Sequence, residues 1–147
     1  MTEGRRRVVV GAAIVRDGLL LAQRRAVPAR LAGRWELPGG RVEPGESELA
    51  ALSRECQEEL GARITVLARV GVDVPLPGSA GGTSDGASGS GAGAVLRVYS
   101  ATMTEGSPEP RALEHAGLRW VSGAELAELD WLDADRVLLP DLATLLG

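Results

Sequence analysis

The chain has 147 residues but no phenylalanine, lysine or asparagine, and it carries one cysteine, Cys56, and one histidine, His115. One thiol cannot close a disulfide within the chain, which excludes a disulfide-knit secreted scaffold and suits a reducing compartment. All sixteen basic residues are arginine, which we read as compositional bias of the genome. Excess positive charge is missing too. With a formal net charge of -4 there is no global field to draw a polyanion, so a nucleic-acid coat or clamp is disfavoured, although a local arginine cluster can still grip a small anion. Long apolar runs are also absent. Val8 to Val15 follows Arg5, Arg6 and Arg7 in the manner of a signal peptide, but it stops at Arg16-Asp17-Gly18 without a small-residue cleavage site. It also falls far short of the roughly 20 residues that span a bilayer. The expectation is a cytoplasmic protein with no membrane partner.

What is present, 44% apolar and 24% charged residues, is ordinary for one compact domain over 1–147. At this length folding buries roughly 68 to 70% of the unfolded surface. Asp17-Gly18 between two apolar runs predicts a hairpin. From Ser47 to Leu60, the residues Leu49, Leu52, Cys56 and Leu60 recur at spacings of three and four, which predicts a helix with one apolar stripe. Ile64 to Val74, Ala94 to Met103 and Leu118 to Val121 read as strands. Ser122 with Glu125 forms a capping box that opens a short helix. A last helix is expected from about Arg136 to Leu146, with Pro140 tolerable only in its first turn. Gly78 to Gly93 holds seven glycines and four serines in sixteen residues, and reads as a flexible excursion. A domain boundary there is the competing reading, disfavoured because the strand that follows needs a sheet to join. The order of elements predicts an α/β or α+β layer fold with a mixed sheet and no internal repeat.

The chemistry lies in the first helix and the loop before it. Glu55, Glu58 and Glu59 fall at i, i+3 and i+4, on one helix face. Two carboxylates 5 Å apart repel by about 3 kcal/mol at an effective dielectric near 20, a cost that a divalent cation reverses. Clustered hard oxygens suit Mg²⁺ or Mn²⁺, which keep waters and bridge to phosphate; a solvated acidic edge is the alternative. Upstream, Trp35-Glu36-Leu37-Pro38-Gly39-Gly40 supplies paired glycines that let backbone approach a ligand closely. From Gly40, five residues lead to Glu46, seven more to Arg54-Glu55, then Cys56, Gln57, Glu58-Glu59, Leu60, Gly61 and Ala62.

This run resembles the Nudix box, G-x5-E-x7-R-E-U-x-E-E-x-G-U, at all nine specified positions over 23 residues. Small residues, Cys56 and Ala62, stand where bulkier aliphatics are commoner, and Cys56 reads as buried filler rather than a nucleophile. Arg24-Arg25, WELPGG, Glu114-His115 before Trp120-Val121, and the segment Trp131 to Arg136 resemble the MutT-type branch, which includes 8-oxo-dGTP diphosphatases and CTP or dCTP pyrophosphatases.

The resemblance implies a Nudix fold, a mixed sheet sandwiched between helices. It implies Mg²⁺, or Mn²⁺ in substitution, held by Glu55, Glu58, Glu59, Glu114 and the Gly39 carbonyl. The reaction implied is NTP + H₂O giving NMP and pyrophosphate, with Glu55 accepting the water's proton and Glu58 or Glu114 as rivals. Arg54 is grouped with these catalytic residues because it pairs with Glu46 and orients Glu55. Gly40, Glu46 and Gly61 are structural supports. Arg25, with Arg24 competing, is the expected phosphate clamp. Leu37 and Asp135 belong to the substrate side. Asp135 stands where enzymes that select 8-oxoguanine may carry Asn; an ionised carboxylate only accepts, so cytosine's amine or guanine's N1 and N2 fit it. Asp133 and Asp135 could instead cap the last helix. Trp35, Tyr99 and Trp131 are the candidates to stack on a base, each equally plausible as core. His115 reads as a packing or hydrogen-bonding residue. The implied partner is a nucleoside triphosphate, with no stable nucleic-acid partner, in a monomer or homodimer. The alternatives are a pyrophosphatase of ADP-ribose or dinucleotides, and a non-catalytic nucleotide-sensing module.

Overall fold

A computed structural model describes residues 7–76 and 93–147. The glycine- and serine-rich segment lies outside the described residues except for Gly93. On its two sides the chain pairs with itself: Leu76 N–H donates to Ala94 O at 3.0 Å and Pro75 stands opposite Val95.

The predicted hairpin is present as β1 (Arg7–Arg16) and β2 (Leu19–Arg24). Both turn residues, Asp17 and Gly18, have positive φ, 53° and 75°, as a two-residue turn matched to strand twist requires. Two short strands follow that were not expected from the sequence, β3 (Trp35–Glu36) and β4 (Gly39–Arg41), and then helix α1 (Glu48–Leu60). β5 (Ile64–Pro75), β6 (Ala94–Met103) and β7 (Gly117–Val121) complete one mixed sheet with the path β3-β2-β1-β6-β5. β1 runs parallel to β6 over Arg7 to Ile14 on one edge. Its other edge is shared, first by β4 at Val9–Gly11 and then by β2 at Val15–Arg16. The sheet therefore splits beside β1, and Pro38-Gly39-Gly40 enters at the split.

Alternation along β1 feeds two cores. Val10, Ala12 and Ile14 pack with Ala51, Leu52, Cys56 and Leu60 of α1, whereas Ala13 faces a cluster containing Trp131, Leu138 and Leu142. Helices thus cover both faces of the sheet. The capping box at Ser122 and Glu125 forms with both reciprocal bonds, opening a 3-10 turn over Gly123–Glu128. The last helix departs from expectation. It is two pieces, α2 (Asp133–Val137) and α3 (Leu139–Leu146), because a helix begun at Arg136 would carry Pro140 in its interior, where it lacks an N–H and meets the carbonyl four residues back. Restarting at Leu139 puts Pro140 in a first turn. No helix of the described residues is long and apolar enough to cross a membrane.

Candidate active site

Ser47 caps α1 by accepting from Ala50 N–H at 3.1 Å, and Gly61 ends it in the left-handed region with its N–H on Gln57 O at 2.9 Å. Between the caps, Ala51, Leu52, Cys56 and Leu60 are buried. Leu49 is not part of that contact, being 48% exposed in the first turn. Burial and the neighbouring Glu59 and Glu55 push the Cys56 thiol up to about 12, leaving an inert filler.

Arg54 ties the acidic flank together. Its Nε and Nη2 grip Glu46 at 2.7 and 3.0 Å, its Nη1 reaches Glu55 Oε2 at 3.2 Å and Glu58 Oε1 at 3.3 Å, and Nη2 also donates to Arg41 O at 3.0 Å. The forked bond to Arg54, joined by the Glu43 N–H, lowers Glu46 to about 2, which fixes it as an anchor. Burial raises the pKa of Glu55 while Arg54 opposes that rise. Gly40 stands so close that a Cβ there would lie 2.3 Å from the Glu55 carboxyl. Glu59 is buried, and its Oε1 accepts from Gln23 Nε2 at 2.8 Å and from Gly39 N–H at 3.1 Å. Loss of solvent pushes its pKa up. The 111–116 loop is sewn to the end of α1 by Arg111 N–H on Leu60 O at 2.9 Å and Leu113 N–H on Glu59 O at 3.0 Å, and to β2 by Ala116 N–H on Arg24 O at 2.8 Å. That stitching brings Glu114 to the same cavity wall as Glu59.

The cavity measures about 740 Å³, within the roughly 300–1,000 Å³ of small-molecule sites. Gly39, Gly40, Glu59 and Glu114 line it together with Leu37 and Asp135, whereas Glu55 and Glu58 are not among its lining residues. The 130–135 segment is laced onto β3 by Trp35 N–H on Asp130 O at 2.9 Å and Leu132 N–H on Trp35 O at 2.8 Å. Arg34 adds bonds to Trp131 O and to Asp133. Asp135 thereby accepts the Leu37 N–H at 3.0 Å in a buried position, and burial pushes its pKa up to about 7. Neither Asp133 nor Asp135 is the N-cap, which is Leu132 without a side-chain bond. Arg25 faces the cavity already engaged, Nε on Val27 O at 3.0 Å and Nη1 on Glu36 at 3.1 and 3.2 Å. Glu36 also meets His115 Nε2 at 2.7 Å. Arg24 instead lies over the Trp35 ring.

The stacking candidates read equally well as core, and the structure gives them other surroundings than the cavity. Trp131 is wholly buried, with its indole N–H on Leu126 O; Tyr99 bonds Glu48 at 2.6 Å; and neither they nor Trp35 line the cavity.

Among the described residues no three His, Cys, Asp or Glu side chains form a ready-made cage. The donors nevertheless fit a hard divalent ion: a row of carboxylate oxygens in which Glu55 meets Glu59, a desolvated Glu59, and Glu114 on the same cavity, while the nearby His115 imidazole is taken up by Glu36. A model described as the NUDIX domain matches residues 5–142. The chain belongs to the NUDIX domain family. Over 143 residues this Nudix chain is 45% identical to "Putative 8-oxo-dGTP diphosphatase 2" of Mycobacterium tuberculosis, covering 95% of this chain and 90% of that one. Over 58 residues, 40% of this chain and 43% of the other, it is 52% identical to the CTP pyrophosphohydrolase of Escherichia coli K12. The crystal structure of a MutT NUDIX hydrolase from Burkholderia pseudomallei has a TM-score of 0.73 at 33% identity, covering 93% of this chain and 98% of that one. These likenesses make the protein a Nudix hydrolase of the MutT type.

Around the Nudix helix, the sequence reading missed Gln23 as a member of the site, and it missed the pairing of Glu36 with His115. Gln23 left a signal, a polar side chain closing the apolar run Leu19 to Ala22. Glu36 and His115 stood in the quoted motifs, and His115 makes the hydrogen bond expected of it, but nothing in the sequence paired the two, because their bond joins positions 79 residues apart.

Proposed function

We propose that this Nudix hydrolase is a Mg²⁺-dependent nucleoside triphosphate pyrophosphohydrolase, with Mn²⁺ able to substitute, that converts 8-oxo-dGTP and CTP- or dCTP-type nucleotides of the pool to the monophosphate and pyrophosphate. The observation that carries this reading is that one cavity is lined by Gly39, Glu59 and Glu114, by the buried Asp135–Leu37 pair and by Arg25. A triphosphate with its base offers chemistry matched to both ends.

The Gly39 carbonyl, Glu55, Glu58, Glu59 and Glu114 would hold the ions. When bound, divalent ions neutralise the triphosphate and lower the pKa of water. Glu55 takes the proton of the attacking water, and Arg54 holds its carboxylate in place for that role. Arg25 keeps Nη2 for phosphate while Glu36 holds its Nη1 and the Val27 carbonyl its Nε. Leu37 and Asp135 meet the base. With a pKa of about 7, Asp135 is divided between two forms near neutrality. The neutral form donates as well as accepts, as an amide does, and suits the adjacent N7–H and O6 of 8-oxoguanine; the ionised form accepts from the cytosine amine.

The test is kcat/KM for a panel of normal and oxidised triphosphates with Mg²⁺, products identified, at pH 6 and pH 8. Pyrophosphate release is expected, with the ratio of 8-oxo-dGTP to dCTP turnover falling as pH rises through about 7. Tight nucleotide binding without pyrophosphate release, or turnover of ADP-ribose alone, would contradict the proposal.

A further inference from the structure

Gln23 occupies the fifth position of β2 at 0% exposure, after the buried Leu20, Leu21 and Ala22. Alternation puts it on the face of Leu21, which packs in the α1 core. Its Nε2 donates to Glu59 Oε1 at 2.8 Å, and its own Oε1 is buried without a partner. An unmade bond at a buried acceptor is a cost to stability, one that an apolar side chain of similar length would not carry. The residue is therefore explained by what its N–H does. The second donor to the same oxygen is the Gly39 N–H at 3.1 Å. Two strand-borne donors converge on one carboxylate oxygen, which removes the freedom of Glu59 to turn about its last torsion.

We propose that Gln23 is a positioning residue of the divalent-ion site, fixing Glu59 through Oε1 so that the other carboxylate oxygen is presented to the ion. The inference rests on the reading of Glu59 as an ion ligand. Partners that orient metal ligands are worth about 10–100-fold in affinity, and a loss of that size is expected when the amide is removed.

Mn²⁺ titration followed by electron paramagnetic resonance, on the wild type, Gln23→Met and Glu59→Gln, tests it beside thermal melts of the ion-free proteins. Gln23→Met is expected to weaken Mn²⁺ binding about 10–100-fold with an ion-free Tm unchanged or higher, a pairing that a purely structural role does not produce. Wild-type Mn²⁺ affinity in Gln23→Met, with affinity lost in Glu59→Gln, would overturn the positioning role and leave Glu59 as a ligand. Wild-type affinity in Glu59→Gln would overturn the ligand reading beneath it. Should Gln23→Met fail to fold, Gln23→Asn, whose amide is one methylene too short to reach Glu59, is measured in its place; at least a tenfold loss supports the role and unchanged affinity refutes it.

Discussion

Glu59 and Asp135, buried carboxylates that both line the cavity, are driven towards their neutral forms by loss of solvent. For Asp135 the consequence for stability has a definite sign. Its folded pKa, about 7, stands above the ordinary 3.8, so its contribution is fully present below 3.8 and is lost as pH rises through 7. Asparagine cannot ionise and can still accept the Leu37 N–H. Asp135→Asn is therefore expected to gain on the wild type from about pH 4 to about pH 7 and to hold a constant advantage above, with a ceiling of about 4 kcal/mol. Thermal melts at pH 4.5, 6 and 8 check this; a gap independent of pH would count against the buried, proton-holding carboxyl. At this scale the sequence was legible where partners are near in the chain. Arg54 and Glu46, eight apart, announced themselves through the box, and the structure joins them at 2.7 Å. Gln23 and Glu59, 36 apart, could not be paired by spacing.

α1 shows what periodicity conveys and what it does not. The helix ending at Leu60 and the stripe through Leu52, Cys56 and Leu60 stand as read, whereas the Ser47 cap and the left-handed Gly61 stop came to light only in the structure. Leu49 belonged to the same stripe by spacing yet is about half exposed, since a period gives a direction and not what lies opposite it. β3 and β4 were invisible because strands of two and three residues have no period at all; long-range pairing makes them. The two glycines of this stretch differ in a testable way. A Cβ on Gly39 would sit 1.9 Å from the Val10 carbonyl oxygen, at φ 152°, so Gly39→Ala forces backbone apart and is expected to destabilise by several kcal/mol, on the order of a strained backbone plus a clash. On Gly40 the obstacle is the movable Glu55 carboxyl at 2.3 Å. Gly40→Ala is therefore expected to keep its Tm within a few degrees while kcat falls at least about 100-fold. Equal loss of stability in both variants, by thermal melts and steady-state kinetics, would contradict this division.

Taken whole, the fold brings together segments that the chain keeps far apart. The parallel pairing of β1 with β6 spans Arg7 to Ala94, and no local signal carries such a pairing; the layered α/β class was legible from element order, the split edge of β1 was not. That split is what admits Gly39 and Gly40 beside the acidic side of α1, while the 130–135 segment brings Asp135 to the same cavity through the Leu37 N–H. The proposed function at this scale joins an ion-holding end at Glu59 to a base-reading end at Asp135. The most direct measurement is a crystal structure of the protein soaked with Mg²⁺ and a non-hydrolysable nucleoside triphosphate. The expected result has an ion against Glu55, Glu59 and the Gly39 carbonyl, the phosphates bridging it to Arg25, and the base at Leu37 and Asp135. Density showing the α1 glutamates free in solvent with no ion beside them, or the base lodged elsewhere, would contradict it.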